Sequence, residues 1–245
     1  MEAREKLFRS EKLAFIGKLA GSVAHELRTP LGAIKNSAYY LHTKLKDSTE
    51  EKVPKYLKYI DAEVDIANKI ISDVLTYARL REPKREAVQV DDVIRESMEY
   101  IKVPANILLN IRDYEAVPDV LADKAQVGQV FKNVIANAIE AMPAGGRLDV
   151  TAVQKGREVE VDFVDTGEGI DSENLTKIFE PLFSTKKTGI GLGLSTCQTI
   201  LDLHNGRMEV VSEKNKGTTI KVILPAVKVT RNGMKEIKDV EKTSD

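Results

Sequence analysis

Three groups of residues in this chain of 245 could do chemistry. The first is His25, with Glu26 directly after it and Pro30 a little over a helical turn further on. An imidazole with an unperturbed pKa is largely neutral near pH 7 and so nucleophilic, and a neighbouring carboxylate can orient it. The second is Asn133 and Asn137, whose spacing puts both on one helix face, so that two amides are presented side by side. A hard Mg²⁺ takes such oxygens together with phosphate oxygens and water. The third is glycine-rich: Asp165-Thr166-Gly167-Glu168-Gly169 and Gly189-Ile190-Gly191-Leu192-Gly193. Glycines let the main chain approach phosphates, and Asp165, ending an apolar strand pattern, can accept a hydrogen bond from a ligand amino group. Each group alone has a plainer reading: a solvated histidine, a turn-capping aspartate, ordinary loop glycines. Neither the Walker spacing nor the dinucleotide fingerprint fits, since no Gly-Lys-Ser/Thr follows the glycines.

Two kinds of element must hold these groups. From Leu13 the apolar or small positions Ile16, Ala20, Val23, Leu27, Pro30, Ile34, Ser37 and Leu41 alternate gaps of three and four, the heptad spacing of a packed helix. Leu57, Ile60, Val64, Ala67, Ile71, Val74 and Ala78 repeat it after the polar stretch 42–54. The pattern predicts a helical hairpin that completes a four-helix bundle by homodimerisation. His25 falls opposite its seam, and Pro30 predicts a kink. After the charged linker 83–87 the pattern turns mixed. Asp91 reads as the N-cap of a helix to Tyr100, Ile107–Ile111 as a strand, and Asp123 as the start of a helix ending before Pro143. Arg147–Val153 and Glu158–Val164 read as a hairpin, followed by a helix to His204 and strands at Met208–Val211 and Thr218–Leu224. Beside Asn205-Gly206, His204 reads as a last-turn residue without chemistry, Cys197 as packed on a helix face and His42 as solvated.

Composition limits the rest. With 42% hydrophobic and 31% charged residues the chain is globular, and no apolar run reaches the length of a membrane span. The net charge of −1 divides into +4 over residues 1–86 and −5 beyond, without the basic bias of a nucleic-acid binder. One cysteine excludes a disulfide framework, which fits a cytoplasmic setting, and Met1 to Glu11 is too charged for a signal peptide.

Taken in order, these residues resemble the boxes of sensor histidine kinases. His25-Glu26-Leu27-Arg28-Thr29-Pro30-Leu31 is similar to their H-box, and Asn133-Val134-Ile135-Ala136-Asn137-Ala138 to their N-box. Asp165-x-Gly167-x-Gly169 resembles the G1 box, Ile178-Phe179-Glu180-Pro181-Leu182-Phe183 the F-box and Gly189-x-Gly191-x-Gly193 the G2 box. The resemblance spans residues 10–225, and the short Phe183-Ser184-Thr185-Lys186 lid is most similar to the nitrogen-regulator subgroup.

The resemblance implies a multidomain α and α+β protein. Residues 1–12 would end a signalling helix, 13–82 form the dimerisation and phosphotransfer domain, 88–227 a Bergerat-fold α/β sandwich that binds ATP, and 228–245 a tail. His25 would be the phospho-acceptor, with Glu26 orienting it. Asn137 would bind Mg²⁺ and Asn133 support metal or phosphates. Asp165 would take the adenine amino group, with Thr218 joining through water, and Gly167, Gly169, Gly189, Gly191, Gly193 and Leu194 would line the nucleotide pocket. Thr29 implies phosphatase activity toward a phosphorylated response regulator, the expected partner. Glu140 stands where many members carry a phosphate-reaching cation, so Lys186 or Lys187 is expected to supply it. Competing expectations are a stand-alone Bergerat ATPase, a serine kinase of the anti-sigma type, and a non-catalytic dimeric scaffold. The outward His25 on a hairpin argues against the first two, and the intact boxes against the third. No sensor module is legible, so an upstream input in cis or trans is expected, with no direct membrane insertion.

Overall fold

The computed structural model describes residues 23, 26–41, 43, 53–78, 80–112, 117–186, 190–229 and 235–236. The chain forms two compact units, Met1–Arg81 with Pro181–Leu192, and Glu82–Glu180 with Gly193–Asp245. Among the described residues no helix is long and apolar enough to cross a membrane.

The first unit is built on two helices, α1 (residues 26–41) and α2 (Val53–Ala78). Helix α1 continues through Pro30, whose side chain is buried. Tyr40 stacks on Tyr56 at 4.2 Å between ring centres, joining the two helices. The heptad stripe of α2 divides into two. Ala67 is buried and Ile60 and Val74 are half-buried, whereas Leu57, Val64 and Ile71, seven residues apart, stay 48, 41 and 45% exposed. Ile190 and Leu192 form a buried cluster in this unit with Ile70, and Leu27, Ile66, Val74, Tyr77 and Leu182 lie against it. Leu182 has φ 73° and donates its N–H to the Gly191 carbonyl at 3.1 Å. Gly191 has φ 72°, and a Cβ there would come 2.3 Å from the Phe183 carbonyl, so the crossing of the two strands of chain requires glycine.

The second unit is a sheet covered by helices. Its elements are β1 (Glu86–Val88), α3 (Val90–Glu99), β2 (Ile107–Arg112), β3 (Val120–Ala122), α4 (Lys124–Glu140), β4 (Gly146–Lys155), β5 (Glu158–Asp165), α5 (Ser172–Leu175), α6 (Gly193–Leu203), β6 (Arg207–Glu213), β7 (Gly217–Pro225), β8 (Lys228–Val229) and β9 (Lys235–Glu236). The main sheet has strand order β2-β4-β5-β7-β6, with β2 and β4 parallel and the other neighbours antiparallel. Strand β5 alternates as its sequence requires. Val159, Val161 and Phe163 are buried, and Phe163 meets Phe131 of α4 at 5.4 Å. From α4, Val127, Val130, Phe131, Val134, Ile135 and Ala138 enter the same core.

The start of α3 corrects the sequence reading. The N-cap is Gln89, in extended conformation and without a side-chain bond, while Asp91 and Asp92 lie in the first turn. Two carboxylates there still favour the helix by facing its positive end. Asp123 does cap α4, accepting the Gln126 N–H.

Candidate functional site

Asp165 ends β5 with its carboxylate buried. Its Oδ1 accepts the N–H groups of Gly167 at 2.8 Å and Thr218 at 3.2 Å. Its Oδ2 takes no hydrogen bond among the described residues, so one acceptor oxygen remains for a ligand. Burial pushes the carboxyl pKa up, against the two N–H bonds that favour the ionised form. Thr218 thus meets Asp165 directly through its main chain, while its hydroxyl pairs with Ser212 Oγ at 2.9 Å.

Glycines are forced around this carboxylate. A Cβ on Gly167 would lie 2.6 Å from the Ala141 carbonyl, and one on Gly169, at φ 65°, 2.1 Å from the Glu213 carbonyl. Glu168 donates its N–H to the same Ala141 carbonyl at 3.0 Å, which joins the glycine loop to the end of α4. Ser212 accepts the Ile170 N–H at 2.8 Å and fixes the loop's other end to β6. Nothing in the sequence singled out Ser212, which sits in an ordinary strand pattern.

Helix α4 carries Asn133 and Asn137, both half-buried, one turn apart. Asn133 Nδ2 donates to the Gly193 carbonyl at 3.4 Å and faces Cys197 Sγ at 3.6 Å. Gly193, the last glycine of the second box, therefore meets the asparagine helix where α6 begins. Leu194 is half-buried in that first turn, and a Cβ on Gly193 would meet open space. Cys197 is fully buried and its thiol is pushed up to about 12 by desolvation, so it is inert packing. No group of three or more His, Cys, Asp or Glu side chains among the described residues could cage a metal. A Mg²⁺ here would rely on an Asn oxygen, phosphates and water, which suits that ion.

The other expected residues fall in the first unit or outside the described residues. Gly191 and Lys186 belong to the first unit, with Lys186 exposed. Glu26 is half-buried and Thr29 exposed on α1. His25, His42, Lys187, Gly189 and residues 1–12 lie outside the described residues, as does most of 228–245.

Comparison with known proteins gives this geometry a family. Residues 16–83 match the His Kinase A (phospho-acceptor) domain, and residues 122–228 match the histidine kinase-, DNA gyrase B- and HSP90-like ATPase domain. The isolated catalytic domain of histidine kinase ThkA is 31% identical and is covered over 96% of its length, with TM-score 0.53. The chain belongs to the sensor histidine kinases. A crystal structure of ThkA in complex with the response regulator protein TrrA aligns with 92% of this kinase and 66% of its own chain, at 28% identity and TM-score 0.75. Sensor histidine kinase ZraS of Escherichia coli strain K12 is 33% identical over 93% of this chain. Sporulation kinase E of Bacillus subtilis strain 168 is 32% identical over 91% of it. The kinase spans 49% of ZraS and 30% of sporulation kinase E, so about half or less of these curated relatives. The expected architecture, a helical hairpin followed by an α/β ATPase domain, agrees with ThkA.

Proposed function

We propose that this chain is the catalytic region of a sensor histidine kinase that phosphorylates His25 from ATP and passes the phosphoryl group to an aspartate of a response regulator. The observation that carries the proposal is the union, in one chain, of a matched phospho-acceptor hairpin containing His25 and a matched ATPase domain. The Asp165 site supports it, since one acceptor oxygen of a mostly buried carboxylate beside glycines that exclude side chains suits a flat base bearing an amino group. Asn137 and Asn133 would hold Mg²⁺ and phosphate oxygens; the metal's part is to neutralise phosphate charge. At His25 the free imidazole nitrogen forms the N–P bond as the bond from the γ-phosphorus to ADP breaks, and Glu26 keeps the ring's proton on the far nitrogen. Lys186 and Lys187 would supply the cation that Glu140 cannot.

The exposed stripe Leu57, Val64 and Ile71 supports homodimerisation, because a hairpin with an uncovered heptad seam buries it in a second copy. Thr29, exposed one turn beyond Glu26, supports dephosphorylation of the partner, with its hydroxyl holding the attacking water. The single buried cysteine fits operation in the reducing cytoplasm, under an input module supplied in cis or trans.

Incubation with γ-labelled ATP tests the proposal. Acid-labile, alkali-stable label that vanishes in His25→Gln is expected; label on serine or threonine, or none, refutes it.

A further inference from the structure

The segment that leads into the ATP-binding unit is bonded to it at two places before its first strand. Lys84 donates its main-chain N–H to Asp123 Oδ2 at 3.1 Å, and Arg85 Nη2 donates to the Leu203 carbonyl at 2.5 Å. Both anchors are helix ends. Asp123 caps α4 with Oδ1, through the Gln126 N–H at 3.3 Å, and spends its other oxygen on Lys84. Leu203 is the last residue of α6, where carbonyls lack helical partners and the dipole favours a cation.

His204 ties these two ends together. It is 1% exposed, and its Nδ1 lies 2.7 Å from the Ile200 carbonyl, so the proton sits there. Its Nε2 is left to accept the Asp123 N–H at 2.9 Å. At the opposite end of α6, roughly 16 Å away along the axis, Asn133 holds Gly193. Helix α6 is thus bolted to α4 at both ends, and Lys84 and Arg85 are fastened to the end remote from the asparagines.

We infer that Arg85 and His204 are positioning residues for the phosphotransfer proposed above, latching the incoming segment to the α4–α6 pair so that Lys84 and Arg85 move with the ATP-binding unit. The latch shortens the free connection to the residues before Lys84. A shorter tether confines where bound nucleotide can reach, which acts on the rate of transfer and leaves nucleotide binding alone. The inference rests on the kinase reading, but the bonds that make it do not.

The test uses the full chain with Arg85→Ala, Arg85→Lys and His204→Gln. Arg85→Ala is expected to lower kcat for autophosphorylation about tenfold, with the KM for ATP within about twofold and ADP still binding at full stoichiometry. The Lys84 amide is expected to exchange with solvent about tenfold faster or more, while the α4 interior keeps its protection. Arg85→Lys, which keeps a cation at the α6 terminus, restores most of the rate, and His204→Gln shares the kcat effect. An unchanged kcat in Arg85→Ala, or a loss of kcat matched by a loss of ADP stoichiometry, overturns the positioning role. A wild-type protein that fails to label itself refutes the kinase reading instead; the latch is then judged by the Lys84 amide, and rapid exchange there in the wild type overturns it.

Discussion

The two units solve the same problem, burying apolar side chains, to different degrees. In the ATP-binding unit Phe131, Phe163, Ile135, Leu148, Ile200 and Leu201 are all fully buried within one chain. In the hairpin unit, among the described residues, the only large side chains that reach that state are Ile70 and Leu192, and Leu31, Leu57, Val64, Ile71 and Leu75 remain 41–56% exposed. A sheet with helices laid on one face can close its core by itself, whereas two helices cannot. The difference supports the proposal that the nucleotide site belongs to one chain while the hairpin is the part completed by a second copy.

The comparison can be broken at several points. Introducing Val64→Glu together with Ile71→Glu places four charges per dimer on the exposed stripe. At about 1–2 kcal/mol for each half-covered side chain, the dimer loses roughly 4–8 kcal/mol. Light scattering is expected to show a monomer that still binds ADP; a persistent dimer would mean that the stripe faces something else. Phe131→Ala acts on the other unit. A cavity between α4 and β5 is expected to cost about 3–5 kcal/mol, seen as a lower urea midpoint with hairpin helicity retained.

Smaller effects sharpen the contrast. Burial lowers the pKa of His204, opposed by its bond to the Ile200 carbonyl; Arg85 lowers it further and Asp123 raises it. Because the unfolded chain binds the proton more readily, the stability owed to neutral His204 is complete above pH 6.5 and declines as pH falls below it. His204→Gln should flatten that decline in thermal melts between pH 7.5 and 5, and an unchanged pH slope would contradict the neutral, buried ring. Smallest is Arg207→Ala, which removes an exposed bidentate pair with Glu158 at 2.6 and 3.0 Å. A change within about 1 kcal/mol is expected from calorimetry.

Much of this was legible in the sequence because periodicity and turn chemistry agree there. The β4–β5 hairpin, α4 with its Asp123 cap and the glycine loop after Asp165 follow from patterns confined to one stretch of chain. What escaped depends on distant partners. Three-residue strands β1 and β3 are too short to show alternation and form by pairing with each other across the fold. Gln89 offers no capping signal, so the nearby Asp91 took its place in the reading. His204 reads locally as a spare helix-end residue, and only the fold brings Asp123, 81 residues away in sequence, onto its ring. Leu182, Ile190 and Leu192 flank or belong to the second glycine box yet pack with the hairpin, a division that no reading in chain order yields.

The unshared oxygen of Asp165 carries one further consequence. A carboxylate fixed by two N–H groups can only accept at its remaining position. An exocyclic amino group satisfies it, whereas the carbonyl that guanine presents at the equivalent ring position would set oxygen against oxygen in a desolvated site. On the proposed role of Asp165, the kinase is expected to draw on ATP and ignore an equal pool of GTP. Discrimination of this kind rests on refusing a wrong partner more than on gripping the right one.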